Sequence, residues 1–193
     1  MLIGGFLTYF AFQSQYRANF FYSIIEFGLV IIGLIVFIWT FVSNLKIYKI
    51  EHQVKCFTLT ILCFFFLVTI LTLHIRTQLK FDKPTLVKVF YDGDFNGTGI
   101  DFKTDGTYIF DNSTIGLSDY FYGTYKIYGN RITMDKNQID NLKNLKYLEI
   151  KEKSIEQNKA ELYLFKIDSL GNLIDSSEEY RVTIDNRTKE KEK

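Results

Sequence analysis

Two apolar runs in the first part of the chain constrain its fold more than any other feature. They cover residues 23–43 and 56–75, and each is close to the about 20 apolar residues that cross the hydrocarbon core of a bilayer. A core helix of a soluble protein carries a polar face at a period of 3.6 residues, whereas these runs are apolar on every side. The sequence therefore predicts two transmembrane helices, joined as a hairpin by a polar turn at residues 44–55.

The segment before the first run, residues 1–22, begins with a dozen apolar residues and continues with the polar stretch QSQYRAN. No basic region precedes its apolar part, as a secretory signal peptide requires. We expect an interfacial segment whose aromatic side chains lie at the depth of the lipid headgroups. The alternative interpretation is part of a further span.

Polar side chains are rare within the predicted spans, and Glu26 is the only acidic one. An intramembrane carboxylate is costly unless it is paired. The start of the first span lies on the same side of the membrane as the end of the second, so we expect a membrane ion pair between Glu26 and Arg76 or His74. Thr60 and Cys63 lie on one face of the second run, and such small residues allow two helices to approach closely.

The cations around the two runs give conflicting indications of orientation. A plain count favours a cytoplasmic C-terminal domain, because more cations flank the outer ends of the spans than lie in the turn. The turn, however, holds its lysines within a few residues of both spans: Lys46, Lys49 and Lys55. We expect a multi-pass protein of a bacterial inner membrane with its C-terminal domain in the periplasm.

Beyond a linker at residues 76–89, the period of the hydrophobic pattern changes from helical to two, which is typical of β-strands. Residues 90–186 form the predicted domain, and a charged tail follows at 187–193. The dipeptides Asp105-Gly106 and Gly129-Asn130 separate alternating runs and predict tight hairpins. In the second hairpin one set of side chains is predicted to point inward: Phe121, Tyr125, Ile127, Ile132 and Met134.

Three further runs, KYLEIK, AELYLFKI and EYRVTID, also alternate, with turns predicted at Asn158-Lys159 and Gly171-Asn172. A short helix is expected around Asp140. The fold class predicted for the whole chain is a membrane α-helical hairpin followed by a small antiparallel all-β meander that curls into a barrel or half-barrel.

The run FKTDGTYIF, followed by YGTYKIYGNRITM, resembles part of the small lipocalin-like or META-like β-domains carried by many envelope proteins of Bacteroidota. In those domains a DG hairpin precedes a hairpin of the form G-x-Y-x-[IV]-x-x-[GN]-x-[IL]. The resemblance covers about residues 99–134 and implies a non-enzymatic module that binds a ligand or a partner, without supplying site residues. The two-span hairpin is a departure, because such domains are commonly lipoproteins or secreted.

The sequence offers little for catalysis or metal binding. Alternating oxygen-bearing residues resemble the start of a calcium loop, but Lys103 stands where a bidentate glutamate is needed, so a polar turn is the simpler interpretation of Asp92, Asp94 and Asn96. Both histidines precede the C-terminal domain, so neither a histidine metal site nor a Ser-His-Asp triad can be assembled there. We expect no cofactor and no enzymatic activity.

The predicted outward face of the second hairpin and its neighbour is rich in tyrosine and cations: Tyr120, Tyr122, Lys126, Tyr128, Arg131 and Tyr147. Tyr and Arg are enriched at the centres of protein interfaces, although tyrosine is also an ordinary residue on the solvent face of a strand. Lys and Arg are interleaved with Asp and Glu, which does not indicate a nucleic-acid partner.

These features predict a membrane-tethered, non-catalytic binding protein, with the lipid bilayer and a protein as its partners. The most concrete version is an immunity-like protector that binds an antibacterial toxin. The alternative is an envelope sensor that holds a small ligand or lipid inside the barrel. That alternative requires a cavity between four aromatic side chains: Phe102, Phe110, Phe121 and Tyr125.

Overall fold

A computed structural model describes the backbone of residues 2–156 and 159–187, and the chain forms two compact units, Met1–Lys80 and Phe81–Lys193. The predicted turn residue Asn158 and the tail at 188–193 lie outside the described residues. The first unit is helical and the second is built of strands, as the change in hydrophobic period predicts.

The helical unit contains one short and two long helices: α1(Leu2–Gln13), α2(Phe20–Glu51) and α3(Thr58–Phe81), with a short extended segment β1(Arg17–Asn19) and a 3-10 turn at Val54–Phe57. Asn19 caps α2, because its side chain accepts hydrogen bonds from the first backbone N–H groups of the helix. α2 ends only at Glu51, so the polar turn predicted from residue 44 is wrong over its first part. Its Leu, Lys and Glu residues are good helix formers, with neither Gly nor Pro to stop the helix.

By length and composition, two helical stretches, Phe20–Glu51 and Val54–Phe81, are suited to crossing a membrane, each with a mean hydropathy of 2.5. Only 6% and 11% of their most apolar windows are buried inside the protein. A core helix of a soluble protein would bury most of that surface, and so large an exposed apolar area is unfavourable in water. The helical unit therefore indicates membrane association.

Side chains of helix α1 pack against both of the other helices. Leu7 and Ala11 are buried against Ile70 of α3, and a β-carbon at Gly4 would lie 2.7 Å from the ring of Phe66. The segment predicted to be interfacial thus contains a helix joined to the apolar pair.

The second unit is a closed antiparallel barrel of eight strands, ordered β5-β4-β3-β2-β11-β10-β9-β6 and closed by the pairing of β5 with β6. This confirms the predicted fold class. Closure pairs the two strands that would be the exposed edges of an open sheet. The strands are β2(Thr85–Gly93), β3(Asn96–Lys103), β4(Thr107–Thr114), β5(Leu117–Tyr128), β6(Arg131–Met134), β9(Tyr147–Glu156), β10(Lys159–Ile167) and β11(Leu173–Asp185).

The barrel interior is the main hydrophobic core of the protein. All eight strands of the barrel contribute to it, and the side chains predicted to point inward in the β5–β6 hairpin are buried in it or packed against it. Gly106, Gly129 and Gly171 have positive φ angles of 81°, 63° and 95°, which confirms the three turns predicted around them.

Two predictions for the second half of the chain are wrong, one boundary and one element type. α3 continues to Phe81 and β2 begins at Thr85, so the predicted linker at 76–89 shrinks to three residues and the barrel starts earlier. Residues around Asp140 form a small hairpin, β7(Gln138–Ile139) and β8(Leu142–Lys143), instead of a helix. Asp140 and Asn144 adopt the left-handed conformation, which Asp and Asn tolerate in turns.

Lys103 holds the chain where it enters the barrel. Its side chain is only 2% exposed and lies 2.8 Å from the carboxylate of Asp101. The same ammonium donates hydrogen bonds to the carbonyl oxygens of Phe81 and Lys83, at 2.8 and 3.0 Å. A buried cation is tolerated only when it is paired in this way.

Candidate functional site

Aromatic rings fill the part of the barrel interior in which a ligand would have to bind. The ring centroids of Phe102 and Tyr125 are 4.9 Å apart, and those of Phe110 and Phe121 are 6.1 Å apart, both edge to face. Phe102 and Phe110 are fully buried. The side chains between which the sensor interpretation needs a cavity therefore pack against one another.

The tyrosine-rich surface predicted from the sequence, which we call the predicted tyrosine set, does not form one exposed patch. Its members are Tyr120, Tyr122, Lys126, Tyr128, Arg131 and Tyr147. Tyr120 is half-buried, with its ring centroid 5.0 Å from that of Phe81, and this burial raises the pKa of Tyr120. Tyr122 is also half-buried, and its carbonyl oxygen accepts a hydrogen bond from Lys136. Tyr128, in contrast, is 75% exposed.

The rest of the predicted set is exposed and lies on β5, β6 and β9: Lys126, Tyr128, Arg131 and Tyr147. Tyr128 and Arg131 are direct cross-strand neighbours. The Arg131 guanidinium lies 3.4 Å from the carboxylate of Glu149, which also pairs with Lys151 at 2.8 Å. Lys151, with Arg131, holds the pKa of Glu149 below its usual value.

A second outward feature, absent from the sequence predictions, crosses four adjacent strands. The direct cross-strand neighbours alternate between cation and aromatic ring, and we call them the outer row: Lys151 on β9, Tyr163 on β10, Arg181 on β11 and Phe90 on β2. Adjacent strands lie about 4.8 Å apart. The row thus presents two cations and two rings side by side across the sheet.

Ion pairs orient the cations around the outer row. The Arg181 guanidinium contacts both carboxylate oxygens of Glu161, at 2.8 and 3.1 Å. Such a two-point contact fixes the orientation of the planar guanidinium. Lys153 pairs with Glu179, and its ammonium lies 5.7 Å from the centre of the Tyr163 ring, within the range of a cation–π contact.

Two glycines of β3 make room for the aromatic end of the outer row. A β-carbon at Gly97 would lie 2.7 Å from the Phe90 ring, and one at Gly99 would lie 3.8 Å from it. The Phe90 ring therefore lies flat against the backbone of β3 while remaining 43% exposed. Beside it is an open groove of about 610 Å³ whose lining includes Phe90, Asp92, Lys153, Tyr163, Glu179 and Arg181.

The weak calcium candidate, Asp92, Asp94 and Asn96, lies in and beside the turn between β2 and β3. The backbone N–H of Phe95 donates to the carbonyl oxygen of Gly93 at 2.8 Å, and Asp94 has a φ of 64°. Among the residues that the structure describes, no group of three or more His, Cys, Asp or Glu side chains is placed to hold a metal ion. The structure places Asp94 in a polar turn, with Asp92 and Asn96 on the strands beside it.

In the helical unit, Glu26 pairs with His74 at 3.1 Å. The predicted pair with Arg76 is therefore corrected, and the other expected partner is found. Arg76 is two residues beyond His74, about 200° further round an α-helix, and its side chain is exposed. Asn44 donates a hydrogen bond to Thr60 across α2 and α3 at 2.8 Å, near the start of α3.

Comparison of the chain with protein-family models, curated proteins and solved structures finds no match. A filled barrel interior and a patterned outer face are suited to holding another molecule against the outside of the barrel.

Proposed function

We propose that this chain is a membrane-tethered, non-catalytic protein that binds a protein partner with the outer face of its barrel. The single observation that supports this proposal best is the outer row. Its alternation places Tyr163 between Lys151 and Arg181 on one continuous surface. Aromatic residues and arginine supply most of the binding energy at protein interfaces.

The order of the surface adds to its suitability for binding. Tyrosine buries a large area at a small cost in conformational entropy. Arg181 is already held by Glu161, so less side-chain freedom is lost on association. The groove beside the outer row, with Phe90 and Tyr163 in its lining, offers a recess in which a partner side chain can be desolvated.

The most concrete form of the proposal is an immunity-like protector that intercepts an antibacterial toxin at the membrane. Such a protein needs a tether and a binding surface but no catalytic group. In this proposal α2 and α3 both cross the inner membrane of a bacterium. The barrel lies in the periplasm, and the connection that contains Lys55 faces the cytoplasm.

The capture experiment uses the tagged full-length chain in detergent micelles, incubated with membranes and periplasm of its native host. We expect a stoichiometric protein partner, and we expect Tyr163→Ser to weaken its binding by about 30-fold, as for a hot-spot residue worth about 2 kcal/mol. Tyr128→Ser is the matched control, because Tyr128 is equally a strand tyrosine and is exposed but lies outside the outer row.

The protection experiment expresses a toxin gene found beside the gene of this chain, with and without the chain. Survival that depends on Tyr163 supports the protector. Co-purification of a small molecule from the barrel, with no protein partner, would instead show the sensor and overturn the proposal. Loss of capture in Tyr128→Ser but not in Tyr163→Ser would keep protein binding and move the surface to the predicted tyrosine set.

A further inference from the structure

Among the side chains that the structure describes, the ion pairs on the outer face of β6, β9, β10 and β11 share an asymmetry. In each pair the carboxylate lies low on the sheet and the cation stands out. The glutamates are 16–25% exposed, whereas their partners are 42–58% exposed: Arg131 and Lys151 over Glu149, Lys153 over Glu179, and Arg181 over Glu161. We call these four cations and three glutamates the basic face.

Within each of these pairs, an approaching partner meets the cation before the carboxylate. Asp92, exposed in the lining of the neighbouring groove, is a carboxylate outside the pairs. The glutamates hold the cations from below, as the two-point contact of Glu161 with Arg181 shows. Guanidinium and ammonium groups have more donors than one carboxylate occupies. Arg131, Lys151, Lys153 and Arg181 therefore keep donors that can point towards a second, incoming acceptor.

We infer that the basic face recognises an acidic protein segment whose carboxylates pair with these cations. This inference rests on the proposed function and names the chemistry of the partner. Lys151 and Lys153 lie two residues apart on β9, so they are separated by about 6.6 Å along the strand. Carboxylates two residues apart on an extended segment have the same spacing.

The charge of the basic face favours a protein over a uniformly anionic polymer or bilayer. Its four cations and three glutamates leave a net charge of only +1. Non-specific binding to nucleic acid or to anionic lipid depends on a strong net positive field, and the glutamates would oppose it. A segment that meets the cations one by one avoids that repulsion and gains specificity from the pattern.

The test uses the full-length chain in nanodiscs of phosphatidylcholine, which carry no net charge. The probe is a fluorescein-labelled peptide of alternating Glu and Tyr, eight residues long by design, and binding is followed by fluorescence anisotropy at low and high salt. A peptide of alternating Lys and Tyr has the same aromatic content and the opposite charge. We expect only the acidic peptide to bind, and its affinity to fall as salt screens the charges.

Variants then locate the site. We expect Lys151→Glu with Arg181→Glu to weaken binding by more than about tenfold, and Lys151→Gln with Arg181→Gln to weaken it by several-fold. The milder pair retains polar side chains over Glu149 and Glu161 and guards against misfolding, which circular dichroism checks. The matched control is Lys136→Glu with Lys143→Glu, two exposed lysines elsewhere on the barrel unit, and it should change affinity by less than about twofold.

Several results would overturn the inference: no binding of the acidic peptide, equal binding of the lysine peptide, or equal loss in the control variant. Tighter binding of single-stranded DNA, or of vesicles containing phosphatidylglycerol, would also overturn it by assigning the face to another class of partner. If Tyr163→Ser abolishes partner capture while Lys151→Gln with Arg181→Gln does not, the proposed function survives and the acidic partner is rejected.

Discussion

The two units of this protein place the same residue type in opposite environments. Phe27 of α2 is 69% exposed, whereas Phe110 of β4 is fully buried. Outward apolar side chains continue along both long helices, but the barrel collects its apolar side chains inside. The hydrophobic effect explains both arrangements if the helical unit has lipid around it and the barrel has water around it.

Polar groups show the reverse arrangement. In the helical unit some of them meet between the helices, as Asn44 and Thr60 do, whereas the described part of the barrel carries ion pairs on its outer face. Lys103 and Lys166 depart from this arrangement, because both lysines are buried in the barrel, and Lys103 pairs there with Asp101. The surroundings of each unit thus determine whether its apolar side chains lie inside or outside. Each of the following substitutions tests this for one of the two units.

The largest expected effect is the difference between Phe110→Ala and Phe27→Ala in the free energy of unfolding of the barrel. Phe110→Ala removes a fully buried ring and should lower the free energy of unfolding of the barrel by about 3–5 kcal/mol. Phe27→Ala removes an exposed ring and should leave it unchanged within about 0.5 kcal/mol. Urea titration in micelles, followed by the β-sheet signal in circular dichroism, measures both. An equal loss in the two variants would break the comparison.

Lys103→Met tests the buried ion pair between Lys103 and Asp101. The change leaves the carboxylate of Asp101 without its buried partner and should cost about 3–5 kcal/mol, as breaking a buried ion pair does. The same urea titration measures it. The matched control is Lys83→Met, because Lys83 pairs with Asp105 on the exposed surface, where a pair is worth about 0–1 kcal/mol. If Lys103→Met leaves the barrel as stable as the wild type, the pairing only compensates for burial of the charge.

Sequence patterns identify most of the fold, because both periods are local. Apolar runs of about 20 residues identify α2 and α3, and alternation with tight turns identifies the barrel strands from β3 onward, but not the small hairpin of β7 and β8. The start of the barrel is missed although Val87 and Val89 alternate correctly, because the domain is placed to begin at residue 90. Helix ends are missed for another reason: amphiphilic residues at the ends of the spans continue the helix without a change in local preference.

The candidate site is less accessible from sequence than the fold. Alternation alone places Lys151, Tyr163 and Arg181 on outward positions of their strands. Their alignment in the outer row depends on the register between strands, and Phe90 joins it only through the pairing of β11 with β2, far apart in the chain. Tyr120 shows the converse, since alternation places it outward but cannot reveal the ring of Phe81 over it.

The pH dependence of barrel stability tests the exposed ion pair between Asp105 and Lys83. The ammonium of Lys83 and the hydroxyl of Thr107 lower the pKa of Asp105 to about 2, below an unfolded value of about 3.9. Its contribution is therefore complete above about pH 4 and is lost as the pH falls towards about 2. The expected loss is about 1 kcal/mol or less, because the pair is exposed.

Acid titration of barrel stability in wild type and Asp105→Asn measures this contribution as the difference between the two curves. The curves should converge below about pH 2 and separate above about pH 4. Parallel curves across this range would mean that Asp105 has the same pKa in both states.

The smallest expected effect lies between the long helices. Thr60→Val keeps the shape of the side chain and removes the acceptor of the Asn44 amide. Interhelical hydrogen bonds in membranes contribute about 0.6 kcal/mol on average, because a separated helix finds other polar partners. Trp39, the only tryptophan of the chain, lies in α2, so its fluorescence during unfolding in micelles reports on this unit alone. If the free energy of unfolding falls by several kcal/mol, this hydrogen bond holds the helices together more than apolar packing does. Polar contacts would then be a main source of stability in the helical unit.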